Sequence, residues 1–455
     1  MKVGDRFPGR PWRFSLALIS TTIALGAAWW VFHSWRPATY VLTPYRNMAP
    51  LAPVYGFFEP AFSWFVLTAI LILVAAMLFI PRLAARGTSP SILAALLFAA
   101  IFWFSVHAAR EGTLPGREFL TYPGEDVIFD IPHIESISSF LHDYTELQPG
   151  LSLHGRTKPP GFALLHYGIM RIFGDHVLVV GSLMTLIASL VVVPAYFIGR
   201  GLRGRPEDGM ACAILTATVP AAAAFGALSL DAVYAVVAAW AIALALAETN
   251  RPHWRRRVGL GLILVLGMML SYVTFLVGFF CGCLIMLHRY RRPLHCAADL
   301  SIIGISFVLP LVALRLWTGF DAWRVFANAR ALNEALMTGI TGHSLAGFGV
   351  WSYVSIGNLL AFLIYLGPAT IGCCALRSWR NVGVAERSFA LAFTATLFVA
   401  SFGGLFLMEA ERILLFLVPA AVAVSLPSEE GRLRAVILIT GLQAIAMEVS
   451  ILTLW

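Results

Sequence analysis

The residues best suited to chemistry crowd into one stretch of the chain. Residues 110–160 hold Glu111, Glu118, Glu125, Asp126, Asp130, Glu135, Asp143 and Glu146, eight of the 24 acids in about a ninth of the length. Within it, three cationic or protonatable groups alternate in His154-Gly155-Arg156-Thr157-Lys158-Pro159-Pro160-Gly161. Arg presents forked donors to phosphate oxygens and Lys a point charge, so such a cluster is a natural anion site. Lys158 is one of only two lysines, against 30 arginines, and the other is Lys2. A carboxylate near these cations can take a proton from an attacking hydroxyl while they stabilise charge on a departing phosphate. The plainer alternative is a set of side chains snorkelling to lipid headgroups.

Two smaller constellations lie further on. Met408-Glu409-Ala410-Glu411-Arg412 separates two apolar runs, and a tight turn does not need three charges, so Glu409, Glu411 or Arg412 is expected to face a cavity. Asp231 opens another apolar run, where it suits an N-cap or a helix-dipole carboxylate as well as a site residue. Glu448 lies deep in the last run and reads as a paired structural group.

The elements that must position these groups are set by composition. The chain is 455 residues, 59% hydrophobic and 12% charged. Soluble proteins carry charge on roughly a quarter of their residues. A soluble enzyme, a disordered chain and a disulfide scaffold are excluded. Only helices and closed barrels satisfy every backbone group inside lipid. The apolar runs are continuous, as helices need, and lack the alternation of barrel strands. The fold class is therefore an all-α polytopic membrane protein. Spans are expected near 14–33, 61–81, 91–109, 176–199, 209–225, 230–248, 257–271, 273–288, 297–316, 353–376, 388–408, 413–427 and 435–454, about 13 in all.

The net charge of +8 follows from arginines in short connecting loops and does not call for nucleic acid. With the N-terminus in the cytoplasm, inner segments hold about two-thirds of the 32 basic residues, and the longer outer loops hold ten. The outer side then carries the loop 110–175, with juxtamembrane helices, and a second loop 317–352. Gly161–Phe173 lies along the surface on this reading, because 13 residues are too few to cross a ~30 Å core.

At these residues the sequence resembles the GT-C superfamily of membrane glycosyltransferases. That group includes protein O-mannosyltransferases and the aminoarabinose transferases of lipid A. The segments that carry the resemblance are Val127-Ile128-Phe129-Asp130-Ile131, Phe140-Leu141-His142-Asp143-Tyr144, the His154–Gly161 stretch and Glu409–Phe416. They are closest to bacterial glycosyltransferase-like membrane proteins with a His-x-x-Thr-His-Pro-Pro-Gly type motif. Here Lys158 stands where that pattern often has His. The acidic loop also follows the third span, whereas well-characterised members place theirs after the first.

The resemblance implies one domain over 1–455 in a bacterial inner membrane, with its active site on the extracytoplasmic side. It implies a polyprenyl-phosphate-linked sugar donor, a glycan, lipid or protein acceptor, and inversion at the anomeric carbon. Asp130 is the favoured general base, Asp126 the alternative, and Glu125-Asp126 a pair of the kind common in the family. His154, Arg156, Lys158 and Arg412 are the expected phosphate ligands, with Asp231, Glu409 and Glu411 as further site candidates. Some members use a divalent cation and others none, and no compact metal-ligand set stands out. A transporter or lipid flippase is the competing reading. It would call for an internal repeat or broken helices with charges at mid-membrane, whereas the acids here sit in a loop.

Overall fold

The computed structural model describes residues 11–34, 51–84, 88–120, 126–341, 348–377, 382–406, 409–427 and 429–453. It is helical almost throughout. Every expected span falls on a helical segment, because an apolar run in lipid has no other way to pair its N–H and C=O groups. Among the described residues seven helices are long and apolar enough to cross, and a bent pair makes an eighth. That pair, Phe348–Leu366 and Pro368–Ala375, turns by 96° at a proline.

Of the other five expected spans, 61–81 falls on the 20-residue apolar helix Phe65–Ala84, while the remaining four meet segments that are short or interrupted, such as Thr274–His288 and the broken run Pro206–Thr218 plus Pro220–Phe225. The protein is thus an all-α integral membrane protein, in which length and composition mark seven crossings, or eight with the bent pair, among the described residues. Gly161–Phe173 is a separate 13-residue helix, as the sequence leads one to expect.

Leu230–Asn250 is the central helix. Ala238, Ala239, Ala241 and Ala245 are all buried on it, and such small side chains let neighbouring helices approach closely. It packs against Val192–Arg203, Trp254–Leu270 and Thr274–His288. Where the sequence places the end of the last span, the helix stops at Ser450. Ile451–Leu452 then pairs antiparallel with Phe57–Phe58 and ties the first loop to the C-terminal helix.

Each end of the bundle has its own charge pattern. At the end away from Asp231, Arg257 bridges Glu248 (2.8 Å) and Asp299 (2.9 Å), and Arg289 pairs with the same two carboxylates. Nearby at that end, Arg13 lies over Trp12, Arg255 over Trp254, Arg291 over Tyr290 and Arg432 over Phe14. Aromatic rings and arginines so arranged suit a membrane–water boundary.

Candidate active site

The opposite end gathers a buried ion cluster from three distant parts of the chain. Ser229 caps the central helix, its hydroxyl accepting from the Asp231 N–H at 3.2 Å, and this sets Asp231 in the first turn. Lys158 Nζ donates to Asp231 Oδ1 at 2.9 Å, and Arg412 Nε stands 3.1 Å from Oδ2. Arg412 also pairs with Glu409. Asp231 is 3% exposed, so its charge depends on these two partners.

The turns that deliver these groups are strained. Among the described residues, Leu228 (φ 68°) and Glu409 (φ 65°) are the non-glycine residues with left-handed backbone. One lies three positions before Asp231 and the other three before Arg412. Such a conformation costs about 1–3 kcal/mol and persists where the surroundings impose it, typically at functional sites.

His154 begins the short helix Leu153–Thr157 and feels the same charges. Burial and then the nearby Lys158 and Arg412 hold its imidazole well below the usual histidine range, so it is neutral at pH 7. Burial raises the Glu409 carboxyl against the pull of Arg412. Glu411, 1% exposed, accepts from the Tyr55 N–H at 2.8 Å, and burial pushes its carboxyl up to about 7.

The acids favoured from sequence stand elsewhere. Asp130 is 2% exposed, with Oδ1 accepting from the Ser152 N–H and Oδ2 from the Ser152 hydroxyl, both at 2.7 Å. Burial raises its carboxyl, and the Ser152 bonds work against that. Asp126 caps the 3-10 helix Val127–His133 by accepting from the Ile128 N–H at 2.9 Å. Neither pairs with Lys158 or Arg412 among the described residues, and the carboxylate between those cations is Asp231. Glu125 lies outside the described residues. Arg156 is half-buried, and its backbone carbonyl accepts from Gln148.

Tyr144 lies in the Phe140–Tyr144 segment already singled out, whereas Gln148, Ser152 and Tyr55 support these groups and are missed by sequence reasoning. Ser152 alone carried a usable signal, a serine three positions before Gly155 at a helix start. Among the described residues no three His, Cys, Asp or Glu side chains converge as a metal-ligand set. Asp231 and Glu409 are already committed to cations, so this donor set does not fit a divalent ion.

Comparison with known proteins gives one family. Residues 157–317, about a third of the chain, match the dolichyl-phosphate-mannose-protein mannosyltransferase family. The matched stretch contains Lys158 and Asp231, and it bears out the resemblance to GT-C membrane glycosyltransferases. No curated protein matches the chain. A solved structure, the Archaeoglobus fulgidus oligosaccharyltransferase complexed with Zn and sulfate, aligns at TM-score 0.44 with 15% identity over 78% of this chain. The chain spans about half (53%) of that structure's length.

Proposed function

We propose that the protein is a membrane glycosyltransferase that moves a sugar from a polyprenyl-phosphate-linked donor to an extracytoplasmic acceptor. The carrying observation is the buried Lys158–Asp231–Arg412 bridge, two of whose members lie in the family-matched stretch. The donor phosphate takes Lys158 and Arg412 from Asp231, which frees a carboxylate beside the anomeric carbon. The acceptor oxygen then bonds to that carbon as the carbon–phosphate oxygen bond breaks. The electron pair of the broken bond leaves with the phosphate, whose charge the two cations stabilise, and the acceptor proton passes to Asp231.

Asp231 is preferred over Asp130 and Asp126 as base because it alone touches the cations. No step is assigned to a divalent cation. The bias of Lys and Arg toward the loops at the other end, and the arginine–aromatic pairs there, support a cytoplasmic N-terminus and a site facing away from the cytoplasm in a bacterial inner membrane.

The test is turnover by the purified full chain in detergent, where no gradient exists, with polyprenyl-phosphate mannose as first donor. Released polyprenyl phosphate together with glycosylated acceptor supports the reading. Sugar left on every polyprenyl-phosphate donor tried, alongside lipid movement by the reconstituted protein, replaces it with the flippase.

A further inference from the structure

The long acidic loop raises a question that the ion cluster does not answer. It brings a buried carboxylate, Asp130, to a place where, among the described residues, neither Lys158 nor Arg412 pairs with it. Asp130 spends both oxygens on one residue, Ser152, whose hydroxyl in turn accepts from the Gly155 N–H at 3.0 Å. The contact is tight: a Cβ on Gly155 would lie 2.0 Å from Asp130 Oδ2. Only glycine lets the helix Leu153–Thr157 rest directly on that carboxylate.

Two more side chains of the same loop hold backbone carbonyls of this helix and of the residue that follows it. The Tyr144 hydroxyl lies 2.7 Å from the Gly155 carbonyl and 3.0 Å from that of Lys158, donating to this pair. Gln148 Nε2 donates to the Arg156 and Val325 carbonyls, each at 3.1 Å. Past Pro159-Pro160, Gly161 lies so close to the Met269 carbonyl that a Cβ would come within 2.2 Å. The backbone of Lys158 is therefore held at its own carbonyl and by the close packing of Gly161, and its side chain runs over Phe162 to Asp231.

We infer that Asp130 is a positioning residue for phosphate binding: by clamping Ser152 it sets the register of Leu153–Thr157 and so the place where Lys158 meets the donor phosphate. The inference rests on the lipid-phosphate reading above. It assigns the loop as a mould for the cation, with the proton chemistry left to Asp231. A lysine held in place loses less freedom on binding than one that must be ordered, so the clamp acts on affinity.

The experiment measures binding of polyprenyl monophosphate, without sugar, to the full-length protein in detergent. Wild type, Asp130→Asn, Tyr144→Phe, Lys158→Ala and the double variant Asp130→Asn/Lys158→Ala are compared. Asp130→Asn and Tyr144→Phe are expected to weaken binding about tenfold, and Lys158→Ala at least as much. In the Lys158→Ala background Asp130→Asn should cost nothing further, because contacts that act through one another are non-additive. General damage to the fold would lower affinity again in that background, and this result overturns the inference. So does unchanged affinity in Asp130→Asn when Lys158→Ala binds poorly, an outcome that leaves the lipid-phosphate reading intact. Absence of binding by wild type overturns both.

Discussion

Lys158 and Arg412, from opposite halves of the chain, close on opposite oxygens of one buried carboxylate, with Lys158 at 2.9 Å and Arg412 at 3.1 Å from Asp231. A carboxylate in that position does what an anionic substrate would do there. It neutralises two cations that the low-dielectric interior would otherwise reject, and it keeps them aimed at a common point. On the proposed reading, a donor phosphate would exchange one anion for another and meet side chains already oriented.

Removal of Asp231 should therefore separate two effects. Asp231→Ala removes the anionic partner of Lys158 and one of those of Arg412, whose pair with Glu409 remains, a loss of about 3–5 kcal/mol, and lowers the thermal midpoint in detergent. Millimolar inorganic phosphate should raise that midpoint more in Asp231→Ala than in wild type, because the variant offers an unfilled anion site. Asp231→Asn keeps the shape and should cut turnover roughly 10²–10⁴-fold by removing the base. Equal stabilisation of wild type and Asp231→Ala by phosphate would count against the exchange of anions.

Glu411 predicts a pH dependence of stability. Its carboxyl titrates near 7 in the fold, above the ordinary 4.5, so the folded state binds the extra proton between these values. Its contribution is full below about pH 4.5 and is lost as pH rises through 7. His154, held low by burial and by Lys158 and Arg412, works in the other direction, since the unfolded chain binds the proton near pH 6.5. Comparing wild type with Glu411→Gln cancels the histidine. The midpoint of wild type relative to Glu411→Gln should fall between pH 5 and 8, and a constant difference over that range would refute the assignment.

The sequence and the structure agree where one residue's surroundings are its own neighbours in the chain. Spans were readable because an apolar run has to become a helix in lipid. The charged turn at Glu409–Arg412 was readable because three charges between two such runs need a purpose. Asp231 showed itself only as a helix-start carboxylate, and the cap proper is Ser229. The Asp130–Ser152 clamp was hidden, for it joins residues 22 positions apart through a helix that only the packing of Gly155 makes possible. The breaks within some runs were hidden as well. Runs such as 209–225 and 413–427 look continuous in hydropathy, yet backbone breaks at Val219 and around Leu414–Leu417 interrupt them.

The network at the far end of the bundle gives a prediction about stability alone. Glu248 and Asp299 are almost wholly buried and share Arg257 and Arg289, so two acids and two bases balance across four helices. Removing one partner leaves an uncompensated charge, which costs about 3–5 kcal/mol in such settings. Glu248→Gln should lower the thermal midpoint in detergent. The protein that stays folded should bind polyprenyl phosphate as wild type does, because the network joins helix ends remote from Lys158. The double variant Glu248→Gln/Arg257→Gln restores the balance of charge and should recover part of the loss. Thermal unfolding of the three proteins side by side is the measurement. A midpoint that falls further in the double variant than in Glu248→Gln would mean that these side chains act through packing and not through paired charge.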